Sequence, residues 1–361
     1  MQTCSYEKLK HFNIEVFLKM GCPEDDAEQA ADTLLSADLR GIDSHGVARL
    51  SSYLRLWENG RITPNPNIKI IHETPSTAVV DGNAGLGLVV GPAAMRVAIE
   101  KATAVGTGWV AVKNSNHYGI AGYHAMLPLR HDMIGMTMTN ASPLVVPTFS
   151  RERLLGTNPI AVAFPTGEEP PFVADLATTT AAYGKLEILQ RTDQKAPMGW
   201  VQDPEGKPSQ DPHTLSQGGG LLPLGSDRDH GSHKGYCLGA MVDIFSAVLS
   251  GANYGPWVPP YVTFLDKGEE LVGEGIGHFF GALRVDAFRP ADEFKTHLDN
   301  WIKRFRRAQP VAGQDAVLIP GDPERVSEER RRAEGIPLHD TVVKDLGAVA
   351  ERFDIDASLF R

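Results

Sequence analysis

Residues 76–115 contain the pattern that most restricts the fold of this chain: a strand, a glycine-rich loop, a helix and a second strand. The runs STAVVDG and GWVAVKNS are typical of buried strands, and PAAMRVAIEKA between them has helical periodicity. Gly85, Gly87 and Gly91 resemble a variant of the glycine motif of a dinucleotide-binding βαβ unit. That motif also requires an acidic residue after the second strand, where this sequence has Lys113–Asn114–Ser115–Asn116. We therefore interpret the glycines as a turn packed against a helix.

The composition describes an acidic chain with enough apolar residues for a large core. Its 361 residues allow roughly two domains, and 42% hydrophobic and 22% charged residues are ordinary for a globular protein. A net charge of −10 argues against nucleic acids and anionic membranes as partners. The sequence has no membrane-length apolar run and no secretory signal, and Cys4, Cys22 and Cys237 lack zinc-site spacing. These features predict a cytoplasmic protein with reduced thiols.

Residues 41–53, GIDSHGVARLSSY, concentrate polar chemistry at the predicted start of a helix. Asp43 or Ser44 is expected to cap that helix by accepting a hydrogen bond from a first-turn amide. With about 3.6 residues per turn, one stripe carries His45, Arg49, Ser52 and Tyr53, and an apolar stripe carries Val47, Leu50, Leu54 and Trp57. A proton carrier, a cationic fork and hydroxyls suit a small carboxylic acid. The alternative is a capped surface helix with a solvated His and Arg.

Three histidines recur every seven residues after the second strand: His117, His124 and His131. On one continuous helix they would share a face, which suggests a metal site and a metal-dependent hydrolase. Pro128 is expected to interrupt that helix, however, and no acidic residue lies at ligand spacing. We therefore predict no metal site. His117 differs from the other two because it directly follows a predicted strand, beside Asn116, where catalytic groups are often found.

Two further segments have the features of anion sites at helix starts. In DLATTTAAYGKLE, Asp175 ends a strand, the Thr178–Thr180 hydroxyls lie at the predicted helix start, and Lys185 follows. In GSDRDHGSHKGYCLGAMVD, a polar glycine loop leads into a long helix with Lys234 and Gly235 at its start, where a phosphate would be stabilised. A threonine-capped ordinary helix is the alternative for the first segment. In the second, His230 and His233 with Asp227 and Asp229 could also coordinate a metal, but we favour a solvated loop.

The order of predicted elements divides the chain into three segments. Helical periodicity dominates before a proline-rich connector at residues 61–75, and the middle of the chain is rich in strands such as MIGMTMTNAS, PIAVAFPT and PFVADLAT. An amphipathic helix is predicted at residues 290–308, and further helices follow it. Residues 1–75 and 289–361 are therefore expected to contribute helices, and residues 76–288 to form a sheet domain.

Five sequence blocks resemble, in the same order, the type-2 malate/L-lactate dehydrogenase family. They are RGIDSHGVARL, NSNHYGIAGYHA, TNASPLVVPTFSRERLLGTNPIAVAFP, FVADLATTTAAYGKLE, and HKGYCLGAMVD followed by the IPGDPE turn. The resemblance extends from about Tyr6 to about Leu346, and similar proteins include ureidoglycolate dehydrogenase, 2,3-diketogulonate reductase and sulfolactate dehydrogenase. Each block is a weak signal alone, but all five in one order make the match specific.

The resemblance implies an α+β fold in which NAD(P) binds a mixed, largely antiparallel sheet, not a Rossmann domain. A helical domain built from both chain ends would lie beside that sheet, and the protein would be a homodimer. The cofactor would be NAD or NADP. Positions that match the family's cofactor contacts are Asp175, Ala177, Thr178, Thr179, Thr180 and onward to Tyr183, then Lys234, Gly235, Pro320, Gly321 and Asp322.

The resemblance also implies a substrate pocket, which we assign to Ser44, His45, Arg49, Tyr53 and Asn140. Arg49, helped by Ser44, would hold the substrate's C1 carboxylate in two hydrogen bonds. His117 or His45 would exchange the hydroxyl proton as hydride moves between C2 and the cofactor, and we favour His117. Asp203 is similar to an acidic residue implicated in a few relatives.

Within this family, malate or L-lactate is the first expectation for the substrate. Ureidoglycolate, sulfolactate, diketogulonate and a cyclic imino acid are the alternatives. The sequence departs from the family at the enlarged loop GSDRDHGSHKGY and at Cys237, where the family usually has glycine. The enlarged loop leaves the choice between NAD and NADP open. A cofactor-binding protein without turnover is the remaining alternative.

Overall fold

The computed structural model describes residues 2–265 and 271–360 and shows an α+β chain built on one large sheet. The predicted class, with a mixed and largely antiparallel sheet, is confirmed. No helix within those two ranges has both the length and the apolar character that crossing a membrane would require.

The helices are α1 (Tyr6–Met20), α2 (Glu24–Leu39), α3 (Leu50–Glu58), α4 (Gly87–Val105), α5 (Ala121–Met126), α6 (Tyr183–Arg191), α7 (Ser232–Asp243), α8 (Ala291–Arg306), α9 (Asp322–Glu334) and α10 (Asp340–Phe353). The strands are β1 (Gln2–Cys4), β2 (Lys69–Glu73), β3 (Thr77–Asp81), β4 (Thr107–Ser115), β5 (Met133–Thr139), β6 (Ile160–Phe164), β7 (Phe172–Leu176), β8 (Val201–Gln202), β9 (Pro208–Ser209), β10 (Gly220–Leu221), β11 (Ile276–Arg284) and β12 (Ile336–Leu338).

Seven strands form the central sheet in the order β2-β3-β4-β11-β5-β6-β7. Strands β3 and β4 are parallel because α4 crosses over between them, and the other neighbouring pairs of this sheet are antiparallel. Strand β11 lies in the middle, where Phe280 is paired with Val110 on one side and Thr137 on the other. A separate small sheet has the order β10-β8-β9.

Helices cover both faces of the central sheet. Helix α4 packs on β4 and β11, and α5 packs on β5 and β6, over an apolar core that includes Met95, Val110 and Phe280. Because successive strand residues point to opposite faces, Phe279 lies on the other side, where it joins Val242 of α7. The sheet therefore has its apolar residues buried on both faces.

Both ends of the chain contribute to a second hydrophobic core beside the sheet. Strand β1 pairs antiparallel with β12, which brings the first and last parts of the chain together. Helices α1, α2, α3 and α10 supply fully buried side chains to this core, among them Phe17, Leu34, Leu50 and Leu346. The boundaries that we placed at residues 75 and 288 stay predictions.

Helix α8 makes its contacts with the edge of the sheet. The carboxylate of Asp299 accepts hydrogen bonds from the backbone N–H groups of Gly167, Glu168 and Glu169, at 3.1, 2.8 and 3.3 Å, in the turn between β6 and β7. The Trp301 ring also lies edge-on to a ring of β7. The amphipathic helix predicted at 290–308 is confirmed, and it lies against this hairpin.

The three glycines of the strand–loop–helix unit are packed against protein atoms. A methyl group added at Gly87 would lie 2.1 Å from the backbone oxygen of Asn116 and 2.5 Å from that of His117. At Gly91 it would lie 2.5 Å from the ring of His124, and at Gly85 it would lie 2.8 Å from a proline ring. The close packing agrees with our interpretation, but the predicted extent of the turn is wrong for two of the glycines, because α4 begins at Gly87 and also includes Gly91.

Gly87→Ala should lower the free energy of unfolding by about 1–3 kcal/mol, because the added methyl group must displace backbone that has little room to move. Gly347→Ala, in α10, is the control. The atom nearest to a methyl group added at Gly347 is 3.8 Å away. The control should be neutral or slightly stabilising. Urea denaturation of both variants measures the difference, and equal midpoints would contradict the close contact at Gly87.

Candidate active site

A cavity lies where the helices of the chain ends meet the central sheet and the start of α6. Its wall includes His45 and Arg49 from the helical side, His117 after β4 and Asn140 after β5. Other lining residues are mostly apolar or aromatic, among them Tyr118, Leu144, Tyr183, Tyr261, Val262 and Ile276. Four side chains that the sequence singled out therefore line one cavity, although they come from distant parts of the chain.

The cap that we predicted from Asp43 or Ser44 is wrong. A 3-10 turn at Val47–Arg49 precedes α3, and neither predicted side chain caps it. Instead, the carboxylate of Asp38, in α2, accepts a hydrogen bond from the N–H of Val47 at 2.8 Å. Burial raises the pKa of Asp38 to about 8.

The predicted apolar stripe is confirmed, since Val47, Leu50 and Leu54 are buried and Trp57 packs against the same core.

His45 and His117 lie side by side, with ring centroids 5.8 Å apart. The hydroxyl of Tyr53 is 2.6 Å from Nδ1 of His117, and Ser44 Oγ is 2.8 Å from Nδ1 of His45. Tyr261 stacks on the His117 ring at a centroid distance of 4.6 Å. In the described parts of the chain, neither Nε2 atom has a hydrogen-bond partner. Each ring thus keeps one nitrogen for a ligand.

Burial and nearby positive charge keep both imidazoles neutral. Burial, followed by the charge of Arg49, lowers the pKa of His45 to about 4. Burial, followed by the charges of His45 and Arg49, lowers the pKa of His117 well below its ordinary value. Both side chains are therefore unprotonated near neutral pH and able to accept a proton.

Arg49 gives the cavity a permanent positive charge. Its Nε donates to the backbone oxygen of Ser44 at 2.6 Å, Nη1 donates to Glu187 at 3.4 Å, and Nη2 forms an ion pair with the same carboxylate. Burial lowers the pKa of Arg49, but the hydrogen bond and charge of Glu187 outweigh burial and leave that pKa above its ordinary value. A charged guanidinium thus lies beside two neutral imidazoles.

Asn140 lines the cavity, but its amide holds the fold together. Nδ2 donates to Asp243 at 3.1 Å and to the backbone oxygen of Asn253 at 2.8 Å. Oδ1 accepts the N–H of Gly277 at 3.0 Å. The side chain therefore joins β5, α7 and β11, and its contact with a substrate stays a prediction.

Asp203 lies outside the wall of this cavity. It follows β8, and its Oδ1 accepts the N–H groups of Glu205 and Lys207 at 3.0 and 2.8 Å. An Asp that accepts backbone N–H groups in this way stabilises a tight turn, here the one between β8 and β9. The structure does not bring Asp203 to His45 or His117.

The candidate cofactor segments Ala177–Thr180 and Lys234–Gly235 lie close together. The N–H of Thr180 donates to the oxygen of Leu222 at 3.1 Å, and the N–H of Leu224 donates to the oxygen of Thr178 at 3.0 Å. Gly235 packs on Leu224 so closely that an added methyl group would lie 2.3 Å from its backbone oxygen. The predicted position of the threonine hydroxyls at a helix start is wrong, because they donate to backbone oxygens and α6 begins after them.

The Pro320–Asp322 turn lies against β7, near Asp175. The oxygen of Pro320 accepts the N–H of Val173 at 3.1 Å. Asp322 begins α9 and accepts a hydrogen bond from Arg306 at 2.8 Å. Asp175 accepts a backbone N–H of α5 at 2.7 Å. These positions stay a candidate site for part of the cofactor.

His117, His124 and His131 do not share a face. Pro128 interrupts the helix as predicted, because α5 gives way to a 3-10 turn that ends at His131. His124 is buried and stacks on Tyr118 at 4.4 Å. Within residues 2–265 and 271–360, no group of three or more His, Cys, Asp or Glu side chains is arranged to hold a metal ion.

A sequence model of the malate/L-lactate dehydrogenase family matches residues 4–347. The chain belongs to this family. It is 42% identical over 350 residues to a malate dehydrogenase from Pyrococcus abyssi, and the aligned region covers 97% of this chain and 94% of that protein. It is also 40% identical over 328 residues to an L-sulfolactate dehydrogenase from Methanocaldococcus jannaschii, with 90% of each protein covered.

A solved structure of a related protein has the same fold as this chain. The malate dehydrogenase from Pyrococcus horikoshii OT3 aligns with a TM-score of 0.89 at 38% identity, over 98% of this chain and 96% of that one. The chain is therefore an oxidoreductase of the 2-hydroxy acid type, and its family implies a nicotinamide cofactor. The resemblance that we identified from five sequence blocks is confirmed.

Two residues of the site were not predicted from the sequence: Glu187, which pairs with Arg49, and Tyr261, which stacks on His117. Glu187 lies in the quoted block ending AYGKLE, but its partner Arg49 is 138 positions away in the sequence. Its position one turn after a tightly packed glycine, Gly184, is the local signal that could have indicated it. Tyr261 follows two prolines in a segment without periodicity, so nothing local indicates its contact with His117.

Proposed function

We propose that this cavity interconverts a small 2-hydroxy acid and its 2-oxo acid, with Arg49 binding the C1 carboxylate. The observation that supports this proposal best is that one cavity contains the charged guanidinium of Arg49 and the neutral imidazoles of His45 and His117. An arginine fork matches a carboxylate in two hydrogen bonds, and a neutral histidine accepts a proton near neutral pH. These are the groups that oxidation of a hydroxy acid needs from a protein.

We assign proton transfer to His117 and substrate orientation to His45. Tyr53 bonds to Nδ1 of His117 and Tyr261 stacks on the ring, so the ring is held and Nε2 remains for the substrate. During oxidation His117 accepts the hydroxyl proton, and during reduction it returns that proton to the carbonyl oxygen. A carboxylate bound at Arg49 would offset the positive charge that lowers the pKa of His117 and thereby stabilise its protonated form.

The cofactor, NAD or NADP, is proposed to bind along the antiparallel part of the sheet and not in a Rossmann unit. When bound, the nicotinamide would provide the hydride chemistry that oxidation or reduction at C2 of the substrate requires. Lys234, in the first turn of α7, is exposed and forms no ion pair with another described residue, so it and the helix N-terminus suit a phosphate. Ala177–Thr180, Gly235 and the Pro320–Asp322 turn would complete the site. The glycines at 85–91 fit a phosphate poorly, because protein atoms fill the space beside them.

Malate is the substrate that we propose first. A malate dehydrogenase is 42% identical to this chain, and an L-sulfolactate dehydrogenase is 40% identical. L-Lactate is the third candidate, because the family is described by malate and L-lactate together. All three share the 2-hydroxy acid group that Arg49 and His117 would bind, and they differ in the distal group.

The test is the oxidation of NADH and NADPH, followed by absorbance, with oxaloacetate, sulfopyruvate, pyruvate and other 2-oxo acids. We expect saturable turnover, with oxaloacetate preferred. His117→Gln should lower kcat by about 10²–10⁴-fold, because the proton-transfer group is lost. Arg49→Lys should mainly raise KM, since the charge remains but the two-bond geometry does not.

His131→Gln is the matched control, because this histidine is exposed and lies outside the cavity, and it should keep wild-type rates. Absence of turnover with every 2-oxo acid would contradict the proposed reaction. If His45→Gln abolishes turnover while His117→Gln preserves it, the roles of the two histidines are reversed.

We further propose that the protein is a homodimer, with the apolar face of α7 and the π-helical turn after it covered by a second copy of the chain. Exposed apolar residues continue along this face: Tyr236, Met241, Ile244, Phe245, Val248 and Leu249. A continuous apolar patch of this kind is typical of a protein interface. The family resemblance points to the same assembly.

Light scattering during gel filtration should give twice the chain mass for the wild-type protein. Ile244→Glu should shift the mass toward the monomer, because a charge would be buried in the interface. Leu18→Glu, on an exposed position of α1, should leave the dimer intact. A monomeric wild type, or equal masses for the two variants, would contradict this interface.

A further inference from the structure

We propose that Glu187 competes with the substrate's carboxylate for Arg49, and that this competition sets the affinity of the pocket for 2-oxo and 2-hydroxy acids. The inference rests on the proposed function, in which Arg49 is the carboxylate site. It assigns Glu187 as a residue that determines how strongly an anion binds. Neither His45 nor His117 needs to move for this exchange.

The hydrogen bonds of Arg49 show that its fork is already occupied by a carboxylate. Both terminal nitrogens donate to Glu187, and Nε donates to the backbone oxygen of Ser44. A guanidinium has five N–H groups, and the paired geometry that suits a substrate carboxylate uses two of them side by side. The two terminal nitrogens that a bound acid would use are therefore already bonded to Glu187.

Helix α6 keeps Glu187 close to Arg49. A methyl group added at Gly184 would lie 2.5 Å from Cβ of Ser44 and 3.2 Å from Nη2 of Arg49, so the first turn of α6 packs directly on these residues. Residues three apart lie on the same face of a helix, which places Glu187 over the same guanidinium. The contact is thus built into the docking of α6, and both partners are only 15–20% exposed.

A substrate carboxylate cannot simply be added to this pair. Two carboxylates on one arginine, in a partly buried site, repel each other strongly, and the charge of Arg49 neutralises only one of them. Binding of the acid must therefore weaken or replace the bonds to Glu187. The affinity for the substrate is the difference between the two carboxylates' interactions with Arg49.

A second cavity gives Glu187 a place to move. This cavity is lined by both Arg49 and Glu187, together with Arg191, Arg331 and His339. Arg191 follows Glu187 by four residues on α6, the spacing at which Glu and Arg attract each other along a helix. Arg191 lines the same cavity and forms no ion pair with another described residue, so it is available to accept the displaced carboxylate.

The test compares oxamate binding, measured by calorimetry in the presence of NADH, and the KM of the preferred 2-oxo acid. Glu187→Gln keeps the size of the side chain but removes its charge. We expect oxamate to bind about tenfold more tightly and KM to fall by a similar factor, as loss of one charged hydrogen-bond competitor implies. The value of kcat should change by less than about threefold, because the competition affects binding alone.

Glu328→Gln is the matched control. Glu328 is also a partly buried carboxylate paired with an arginine, Arg40 at 3.5 Å, but it lies outside both cavities. Its loss should leave oxamate affinity and KM unchanged. Glu187→Asp, whose shorter side chain reaches Arg49 less well, should give an intermediate affinity and provides the same comparison if the Gln variant does not fold.

Two failures are distinguishable. If the wild type turns over 2-oxo acids and Arg49→Lys raises KM, but Glu187→Gln binds oxamate equally or more weakly, competition is wrong and Glu187 only holds Arg49 in position. If no 2-oxo acid is turned over and Arg49→Lys leaves oxamate binding unchanged, the proposed function itself fails.

Discussion

The contact between Tyr53 and His117 connects the two cores of this protein. Tyr53 is fully buried on α3, in the core formed by both chain ends, and His117 follows β4 at the end of the sheet. Their hydrogen bond of 2.6 Å fixes the ring of a histidine whose own segment has no regular structure. Gly87 supports the same segment from α4, since its missing side chain lets the helix approach the backbone of Asn116 and His117.

The positive charge of Arg49 is balanced by the carboxylate of Glu187. Arg49 would be costly to bury alone, and Glu187 supplies the opposite charge within hydrogen-bond distance. The same positive charge helps to keep His45 and His117 neutral. An acid that binds Arg49 would change both the pairing of this guanidinium and the charge near the two histidines.

Local sequence patterns predicted those structural features that depend on residues close together in the chain. Helical spacing placed Val47, Leu50 and Leu54 in the core, and the missing acidic residue after β4 argued against a dinucleotide motif at Gly85–Gly91. The predicted polar stripe of His45, Arg49 and Tyr53 is wrong as one face of a helix, because α3 begins only at Leu50 and Tyr53 is fully buried. Contacts between residues far apart in the sequence could not be predicted from such patterns. The cap from Asp38, the pairing of Glu187 with Arg49 and the stacking of Tyr261 on His117 join residues through the tertiary fold, so no periodicity reports them.

The most direct test of this account is a pH titration of the His45 and His117 ring resonances by NMR in the substrate-free protein. Burial and positive charge lower both pKa values below the ordinary value of about 6.5, so both rings should stay neutral from pH 8 down to about pH 5. A midpoint near pH 6.5 for His45 or His117 would contradict the buried, neutral pair on which the proposed proton transfer depends.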